Sequence, residues 1–222
     1  MANRQANVRE SWLALAKKHR AIAIIRASTL DQGVAMAQAA AAGGFCLIEV
    51  TWTHNASPIK MVQSLRQELP HCVIGAGSIL TTSSLYDAIA AGISFCFTPH
   101  VDSELLSIAQ NHSLPMIAGA MTPTEIVTAW KAGAASVKVF PIAAVGNASY
   151  ISSLVTPLGP IPLIPTGGVT VESAPKLMAA GAIAVGLSSA LFPKLEVQRQ
   201  DWAAIELRSR HLLAQLSTLL SD

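Results

Sequence analysis

The stretch AAAAGGFCLIEV (39–50) joins the end of an alanine-rich helix to a short run that is apolar on both faces. The same succession recurs in AAGISFCFTP (90–99), KAGAASVKVFP (131–141) and AAGAIAVGL (179–187). A strand that is apolar on both faces is typical of a parallel sheet covered by helices. Helices commonly end in a positive-φ residue, and the pattern predicts this conformation for Gly43, Gly92, Gly133 and Gly181.

Four more apolar runs complete the pattern: AIAIIRA (21–27), HCVIGAGS (71–78), LPMIAGA (114–120) and IPLIPTGG (161–168). Eight such strands alternating with helices favour a closed (βα)8 TIM barrel of the α/β class. An open doubly wound sheet fits less well, because no strand has the alternating polar pattern of a sheet edge. The pattern of residues 6–20 predicts an extra N-terminal helix that covers the barrel bottom. No linker-like stretch interrupts the chain, so we expect residues 1–222 to form a single domain.

The composition is that of a soluble protein with a large apolar core, since 51% of the residues are hydrophobic and 13% are charged. The 15 lysines and arginines are scattered and the net charge is +2, so we expect no binding to nucleic acid. The 3 cysteines form no CxxC motif, which indicates free thiols in a reducing compartment. We find neither a signal-peptide pattern nor a membrane-length apolar run, and therefore expect a cytoplasmic protein that binds a small metabolite.

Barrels of this kind bind their ligands at the carboxyl ends of the strands, so the residues that end each strand are the candidates for a site. Polar or small residues stand at most of these ends. In strand order they are Arg26, Glu49, Thr51, Ser78, Thr98, Pro99, His100, Lys138, Thr166, Gly167, Gly168, Gly186 and Ser188.

Lys138 stands inside the apolar run SVKVFP (136–141), where burial of a charge is costly. Strand alternation places Val137 and Val139 on the face that packs against helices, so we expect Lys138 to point into the barrel. Burial lowers the pKa of a lysine, which favours a free amine that forms a Schiff base with a carbonyl substrate. The alternative is a structural lysine that is paired with a carboxylate or that reaches water from an edge strand.

Glu49 ends the run FCLIEV and also lies on an apolar strand. A carboxylate that faced the helices would be unpaired in an apolar layer, which favours an inward orientation beside Lys138. Two interpretations are open. Glu49 is only the ion-pair partner of Lys138, or it is an acid and base that acts on the same substrate as the lysine.

The loop PTGG (165–168) precedes a helical pattern, and a glycine and two serines follow the last strand. Backbone N–H groups at such positions bind phosphate or carboxylate, which favours an anion site here over simple tight-turn glycines. The 6 histidines, among them the loop residues His54 and His100, show no metal-ligand spacing. Neither a GxGxxG motif nor a P-loop is present, so we expect no metal ion and no cofactor.

Together these motifs resemble the 2-keto-3-deoxy-6-phosphogluconate (KDPG) and 4-hydroxy-2-oxoglutarate (KHG) aldolase family. The resemblance extends over residues 15–195 and rests on Glu49, Lys138, GAGS (75–78), TPH (98–100), FP (140–141) and PTGG. It implies a class I, metal-independent aldolase on a (βα)8 barrel, usually a homotrimer. Such an enzyme cleaves a 4-hydroxy-2-keto acid to pyruvate and an aldehyde, either glyceraldehyde 3-phosphate or glyoxylate.

The resemblance also implies roles for individual residues by position. Lys138 corresponds to the Schiff-base lysine and Glu49 to the acid and base. Ser78 stands where the family commonly has a threonine that contacts the pyruvyl carboxylate. Pro99 and Phe140 match residues of the pocket wall. Thr166, Gly167, Gly168 and Ser188 match the phosphate or distal-carboxylate end. The other predicted substrate-binding residues are Thr51, Thr53, Gly186 and Arg26.

Three positions depart from the family pattern and affect the substrate assignment more than the reaction class. Many members read EVT-x-R, with an arginine that binds the substrate carboxylate, whereas EVTWT places Thr53 there. Arg26, at the end of the first strand, is the candidate that replaces this cation. Leu187 stands where a glycine is frequent in the phosphate loop, and His100 stands where a glycine often follows the proline.

Two alternatives to this substrate assignment are open. One keeps the chemistry and changes the substrate to a related sugar acid, such as 2-keto-3-deoxy-6-phosphogalactonate. The other is a barrel that binds a phosphometabolite without turnover. The buried uncharged amine expected at Lys138 favours catalysis, because a protein that only binds has no use for it.

Overall fold

The computed structural model describes residues 2–53 and 55–218 and contains an eight-stranded parallel sheet. The strands are β1 (Ala21–Ile25), β2 (Leu47–Thr51), β3 (Val73–Gly77), β4 (Cys96–Phe97), β5 (Met116–Ala120), β6 (Ser136–Val139), β7 (Leu163–Pro165) and β8 (Val185–Leu187). They follow one another in the order β7-β6-β5-β4-β3-β2-β1-β8, so each strand from β1 to β6 pairs with the next in sequence, and β8 pairs with β1. A parallel bridge between Thr166 and Gly186 joins the two ends of this sheet. The predicted (βα)8 barrel is confirmed.

Helices alternate with the strands and cover the outside of the barrel. They are α1 (Ala2–His19), α2 (Leu30–Ala42), α3 (Pro58–Glu68), α4 (Thr82–Ala91), α5 (Ser103–Asn111), α6 (Pro123–Lys131), α7 (Ala148–Leu158), α8 (Ser173–Ala179), α9 (Lys194–Arg199) and α10 (Trp202–Thr218), and a 3₁₀ turn spans Ile142–Val145. In the part of the chain that the structure describes, no helix combines the length and the hydropathy needed to cross a membrane.

The glycines that end the helices follow the prediction at three positions out of four. Gly92, Gly133 and Gly181 have φ values of 90°, 95° and 109°. Gly43 was predicted wrongly, since its φ is −78° and the positive φ of 104° belongs to Gly44. A Cβ atom at Gly43 would overlap the Ser209 side chain of α10. Close helix packing, rather than backbone conformation, therefore explains this glycine.

Two apolar layers fill the molecule, and strand alternation separates them. In β1, Ala21, Ala23 and Ile25 belong to the layer between the strands and the helices, whereas Ile22 and Ile24 belong to the layer inside the barrel. All residues of β1 are buried. This burial on both faces explains why the strands have no polar alternation.

The predicted extra helix α1 is present and begins at Ala2, before the expected residue 6. Its Trp12 enters the barrel interior, where the indole centroid lies 5.1 Å from the Phe95 ring and 6.1 Å from the Phe97 ring. The indole N–H donates a hydrogen bond of 2.9 Å to Ser136 Oγ at the start of β6. The apolar body of the tryptophan therefore closes the amino end of the barrel, while its one polar atom is satisfied.

Candidate active site

A cavity of about 90 Å³ lies at the carboxyl end of the barrel, where the strands deliver their last residues. The residues that line it are Ile24, Arg26, Glu49, Ser78, Pro99, Lys138, Phe140, Thr166, Gly167, Gly168, Val169, Gly186, Ser188 and Ser189. Every residue with a predicted catalytic or substrate-binding role is in this set except Thr51 and Thr53, and the strand-end candidates Thr98 and His100 are also outside it. Residues from β1, β2, β6 and β8, and from the segments after β3, β4 and β7, therefore converge on one small space.

The two exceptions follow from local structure. Thr51 is fully buried, and its hydroxyl donates a 3.1 Å hydrogen bond to the Ile25 carbonyl on the neighbouring strand. Thr53 is partly exposed in the turn after β2 and does not line the cavity. Neither threonine lines the cavity, so the predicted contact of Thr51 and Thr53 with substrate stays a prediction. His54 lies outside the described residues.

The cavity includes residues that the sequence argument missed, namely Ile24, Val169 and Ser189. Ile24 lies on β1, two positions before Arg26, so strand alternation was a usable signal for it. Ser189 directly follows Ser188 after the last strand, and the pair of serines pointed to it. Val169 has no comparable signal, because an apolar residue after two glycines is equally compatible with the core.

Lys138 occupies the interior position of β6 that alternation predicts. It pairs with Gly119 of β5 and Ile164 of β7, while Val137 and Val139 lie in the layer against the helices. Only 5% of the residue is exposed, and the ammonium nitrogen lies 4.7 Å from the centroid of the Phe140 ring. Burial lowers the pKa of Lys138, and the positive charge of Arg26 lowers it further, against an opposing effect of Glu49.

Glu49 is 1% exposed and lies on β2, paired with Ile24 of β1 and Gly75 of β3. Burial raises the pKa of its carboxyl group, against the opposing charges of Lys138 and Arg26. Its Oε2 atom is buried and has no hydrogen-bond partner among the described residues. A Cβ atom at Gly77 would overlap the Glu49 carboxylate, so the missing side chain at Gly77 makes the space that this group occupies.

Lys138 and Glu49 line the same cavity without a direct ion pair. Among residues 2–53 and 55–218, no nitrogen–oxygen pair within 4.0 Å joins the two side chains. The first of the two interpretations of Glu49, that it serves only as a bonded partner of the lysine, is not supported by this geometry. Burial raises the pKa of Glu49 and lowers the pKa of Lys138, so the cavity brings together two buried groups whose neutral forms are favoured.

Two glycine-containing segments, the loop after β7 with Gly167 and Gly168 and the end of β8 with Gly186, form the other side of the cavity. Gly167 and Gly168 have φ values of 86° and 83°, a conformation that favours glycine. A Cβ atom at Gly168 would also overlap the Ala143 side chain. The sequence argument placed these glycines directly before a helix, but α8 begins only at Ser173. Loop N–H groups, rather than a helix terminus, are therefore the donors available at this side.

A larger cavity of about 350 Å³ lies at the opposite end of the molecule, between α1 and α5. Its lining includes Arg9, Gln110 and Met116 but, within the described residues, no lysine and no carboxylate. The catalytic chemistry considered above therefore belongs to the smaller cavity. In the same described part of the chain, no group of three or more His, Cys, Asp and Glu side chains is placed to hold a metal ion.

Comparison with protein families agrees with this architecture. The family model described as KDPG and KHG aldolase matches residues 13–207, which is most of the chain. The chain belongs to the KDPG and KHG aldolase family. Members of this family are carbon–carbon lyases, and so is this protein.

Individual aldolases show how far the similarity extends. The chain is 32% identical over 182 residues to a 2-dehydro-3-deoxy-phosphogluconate aldolase of Pseudomonas aeruginosa. These aligned residues cover 82% of each chain. A KDPG aldolase structure from Legionella pneumophila contains pyruvate captured at low pH as a covalent carbinolamine intermediate. It is 26% identical to this chain, with a TM-score of 0.83, and the match covers 90% of this chain and 97% of that one. A structure described as native KDPGal is 29% identical to this chain, with a TM-score of 0.77. The match covers 88% of this chain and 96% of that one.

Proposed function

We propose that this aldolase forms a Schiff base between Lys138 and a 4-hydroxy-2-keto acid and releases pyruvate and an aldehyde. The substrate carries a second anion at its far end, as KDPG and 4-hydroxy-2-oxoglutarate do. The observation that carries the proposal is the buried Lys138 amine, which points into the cavity at the carboxyl end of the barrel beside Glu49. The carbinolamine in the Legionella pneumophila aldolase supports the same chemistry.

The first step uses the neutral form of Lys138. Its Nζ lone pair attacks the C2 carbonyl carbon of the substrate, and loss of water gives an iminium ion. Cleavage of the C3–C4 bond then leaves an electron pair at C3, which the iminium accepts to form an enamine. Without such an electron sink the carbanion at C3 would be inaccessible at neutral pH.

Glu49 moves the protons in this sequence. As a carboxylate it accepts the proton of the C4 hydroxyl group, directly or through water, while the aldehyde leaves. It then returns a proton to C3 of the enamine, and hydrolysis of the resulting iminium frees pyruvate and Lys138. A raised pKa suits a group that must both accept and donate a proton near neutral pH.

The two ends of the substrate are assigned to two sides of the cavity. Ser78, which follows β3, would contact the pyruvyl carboxylate, and Pro99, which follows β4, would form part of the pocket wall. Arg26 directly follows β1, which pairs with β8 on one side and with β2 on the other. We assign Arg26 to the distal anion, because it lines the cavity together with Gly167, Gly168 and Ser188; the alternative is that it replaces the arginine that is missing at Thr53.

A panel of 2-keto acids tests the proposed reaction. The purified enzyme is supplied with KDPG, its C4 epimer 2-keto-3-deoxy-6-phosphogalactonate and 4-hydroxy-2-oxoglutarate, and pyruvate release is measured. We expect cleavage of at least one of the three. Absence of pyruvate release from all three would refute the proposal.

The galactonate-derived substrate is a second candidate within the same reaction class. The observation in its favour is the 29% identity to the structure described as KDPGal, close to the 32% identity to the Pseudomonas aeruginosa aldolase. The ratio of kcat/KM for the two C4 epimers in the same panel decides between them. We also propose a cytoplasmic homotrimer, to be tested by cell fractionation and by light scattering on the purified protein.

A further inference from the structure

Two of the three cysteines stand opposite each other at the amino ends of neighbouring strands. β2 and β3 pair with Leu47 opposite Val73, and the Val73 N–H donates a 2.7 Å hydrogen bond to the Cys46 carbonyl. This register places Cys46 opposite Cys72. Neighbouring strands are about 5 Å apart, a separation within the Cα range of disulfides.

Strand alternation places the side chains of these two cysteines on the same face of the sheet, because the residues that follow them, Leu47 and Val73, both pack against the layer inside the barrel. Val73 packs against the layer inside the barrel and Cys72 against the layer outside it, as strand alternation requires. The Cys72 thiol contacts the Phe45 carbonyl at 3.5 Å, and this carbonyl belongs to the peptide bond that leads into Cys46. The Cys72 sulfur therefore points toward the segment that contains Cys46.

Exposure distinguishes this pair from the third cysteine. Cys46 and Cys72 are both partly exposed, whereas Cys96 is fully buried. Both members of the pair directly precede the first residues of their strands, Leu47 and Val73. A backbone adjustment here would affect the hydrogen bond from the Val73 N–H to the Cys46 carbonyl at the end of the ladder, rather than the interior of the ladder between β2 and β3.

We propose that Cys46 and Cys72 form a redox modification site, at which a low-molecular-weight disulfide such as oxidised glutathione converts the two thiols to a reversible intramolecular disulfide. The site is independent of the aldolase chemistry, because it lies at the end of the barrel opposite the cavity that contains Glu49. Cytosolic disulfides that do form are commonly transient and redox-sensing, as this one would be.

The oxidation proceeds by two exchanges. The Cys46 thiolate attacks one sulfur of oxidised glutathione, a glutathione thiolate leaves, and a mixed disulfide forms on Cys46. Cys72 then loses its proton and attacks the Cys46 sulfur, and the second glutathione leaves. The protein dithiol is oxidised by two electrons and oxidised glutathione is reduced to two thiols. The Cys72 thiol is held by the Phe45 carbonyl, and burial raises its pKa to about 11, so we place the first attack on Cys46 and make Cys72 the resolving thiol.

The bridge would tie together the strands that carry Glu49 and Gly77 at their other ends. A disulfide restricts the unfolded chain, so we expect it to raise the unfolding temperature by roughly 5 °C. Reduction with dithiothreitol should reverse this shift. Because the bridge forms far from the cavity, pyruvate release by the oxidised enzyme should stay within about twofold of the reduced enzyme.

The experiment is peptide mapping of the folded, full-length protein after incubation with oxidised glutathione. Free thiols are blocked, and the protein is digested without reduction by trypsin and chymotrypsin, which place the three cysteines in separate peptides because Lys60, Arg66 and Tyr86 lie between them. We expect the peptide pair Cys46–Cys72 as the dominant product. In Cys72→Ala, which lacks the resolving thiol, glutathione should stay attached to Cys46.

Three results would overturn the proposal. The first is a wild-type protein in which glutathione stays attached to Cys46 and no bridge to Cys72 forms. The second is a main product in which the disulfide joins two chains or includes Cys96. The third is a Cys46–Cys72 bridge that forms only after the protein is unfolded in urea.

Discussion

The two ends of the barrel are built from the same eight strands but have opposite chemistry. At the amino end, the indole of Trp12 packs on Phe95 and Phe97, and its single polar atom is hydrogen-bonded. At the carboxyl end, Lys138 and Glu49 are equally buried but have no direct ion pair within the described residues, and a Glu49 oxygen has no partner there. At one end the buried polar atom is hydrogen-bonded, whereas the other end retains buried polar groups without direct partners in the described part of the chain, at a cost in stability.

The comparison shows how a barrel divides its tasks. Residues at the starts of the strands decide how well the molecule is packed, and residues at the ends decide what it binds. Substitutions at the mouth should therefore change activity with little loss of stability, and substitutions at the bottom should do the reverse. The following predictions test this separation, in order of decreasing expected effect.

Lys138→Ala should give the largest change. Removal of the amine abolishes the Schiff base, so kcat for pyruvate release should fall by at least about 10³-fold, which corresponds to about 4 kcal/mol. The matched control is Lys131→Ala, which removes an exposed lysine at the end of α6. A Lys138→Ala variant with more than a tenth of wild-type activity would contradict the claim that the carboxyl end of the barrel supplies the nucleophile through Lys138.

Glu49→Gln removes the proton transfer but keeps the shape of the side chain. We expect kcat to fall by about 10²- to 10³-fold, the usual contribution of a general acid or base. Pyruvate should still form a covalent adduct with Lys138, because that step needs the amine. Exposed Glu10→Gln serves as the control. Equal loss of adduct formation and turnover would show that Glu49 mainly maintains the structure around the lysine.

Trp12→Ala should affect the other end of the molecule. Loss of the buried indole and its hydrogen bond to Ser136 should lower the free energy of unfolding by about 3–5 kcal/mol, measured by urea denaturation. The kcat at a temperature where the variant is folded should stay within about threefold of wild type. The control is Trp202→Ala, in which a partly exposed tryptophan is removed at the start of α10. A large drop in kcat would show that the two ends are coupled.

Arg26→Gln tests the assignment of the distal anion. The KM for a phosphorylated substrate should rise by about 10- to 100-fold, the effect of losing a charge-assisted hydrogen bond, while kcat changes less. Arg199→Gln, an exposed substitution on α9, is the control. If the KM for pyruvate in the reverse reaction rises as much as the KM for the aldehyde phosphate, Arg26 binds the pyruvyl carboxylate instead.

Lys138→Met should stabilise the protein by about 1 kcal/mol at pH 7, because it replaces a buried ionisable group by an apolar one of similar shape. The unfolded lysine titrates near its ordinary pKa of 10.5, and burial lowers the folded value. Between the two values the unfolded state binds more protons, so wild-type stability rises with pH. The advantage of Lys138→Met, measured by urea denaturation across the alkaline range, should therefore shrink toward pH 10.5. A constant or growing advantage would contradict the lowered pKa.

The sequence was most informative where one physical rule decides the outcome. Apolar strands and their spacing predicted the barrel, and alternation in SVKVFP predicted the inward orientation of Lys138. It was least informative where two rules lead to the same residue type. Gly43 is required for packing against Ser209, and Thr51 uses its hydroxyl for a bond to Ile25, but neither role differs in sequence from a helix cap or a ligand contact. Such roles depend on contacts between distant segments.

The most direct test of the account is borohydride reduction in the presence of pyruvate, followed by mass-spectrometric mapping. The account predicts one pyruvate adduct per chain, located on Lys138, and no comparable labelling of the exposed Lys131. An enzyme that releases pyruvate under the same conditions but carries no adduct on Lys138, or carries it on another lysine, would contradict the central claim that this buried amine is the nucleophile.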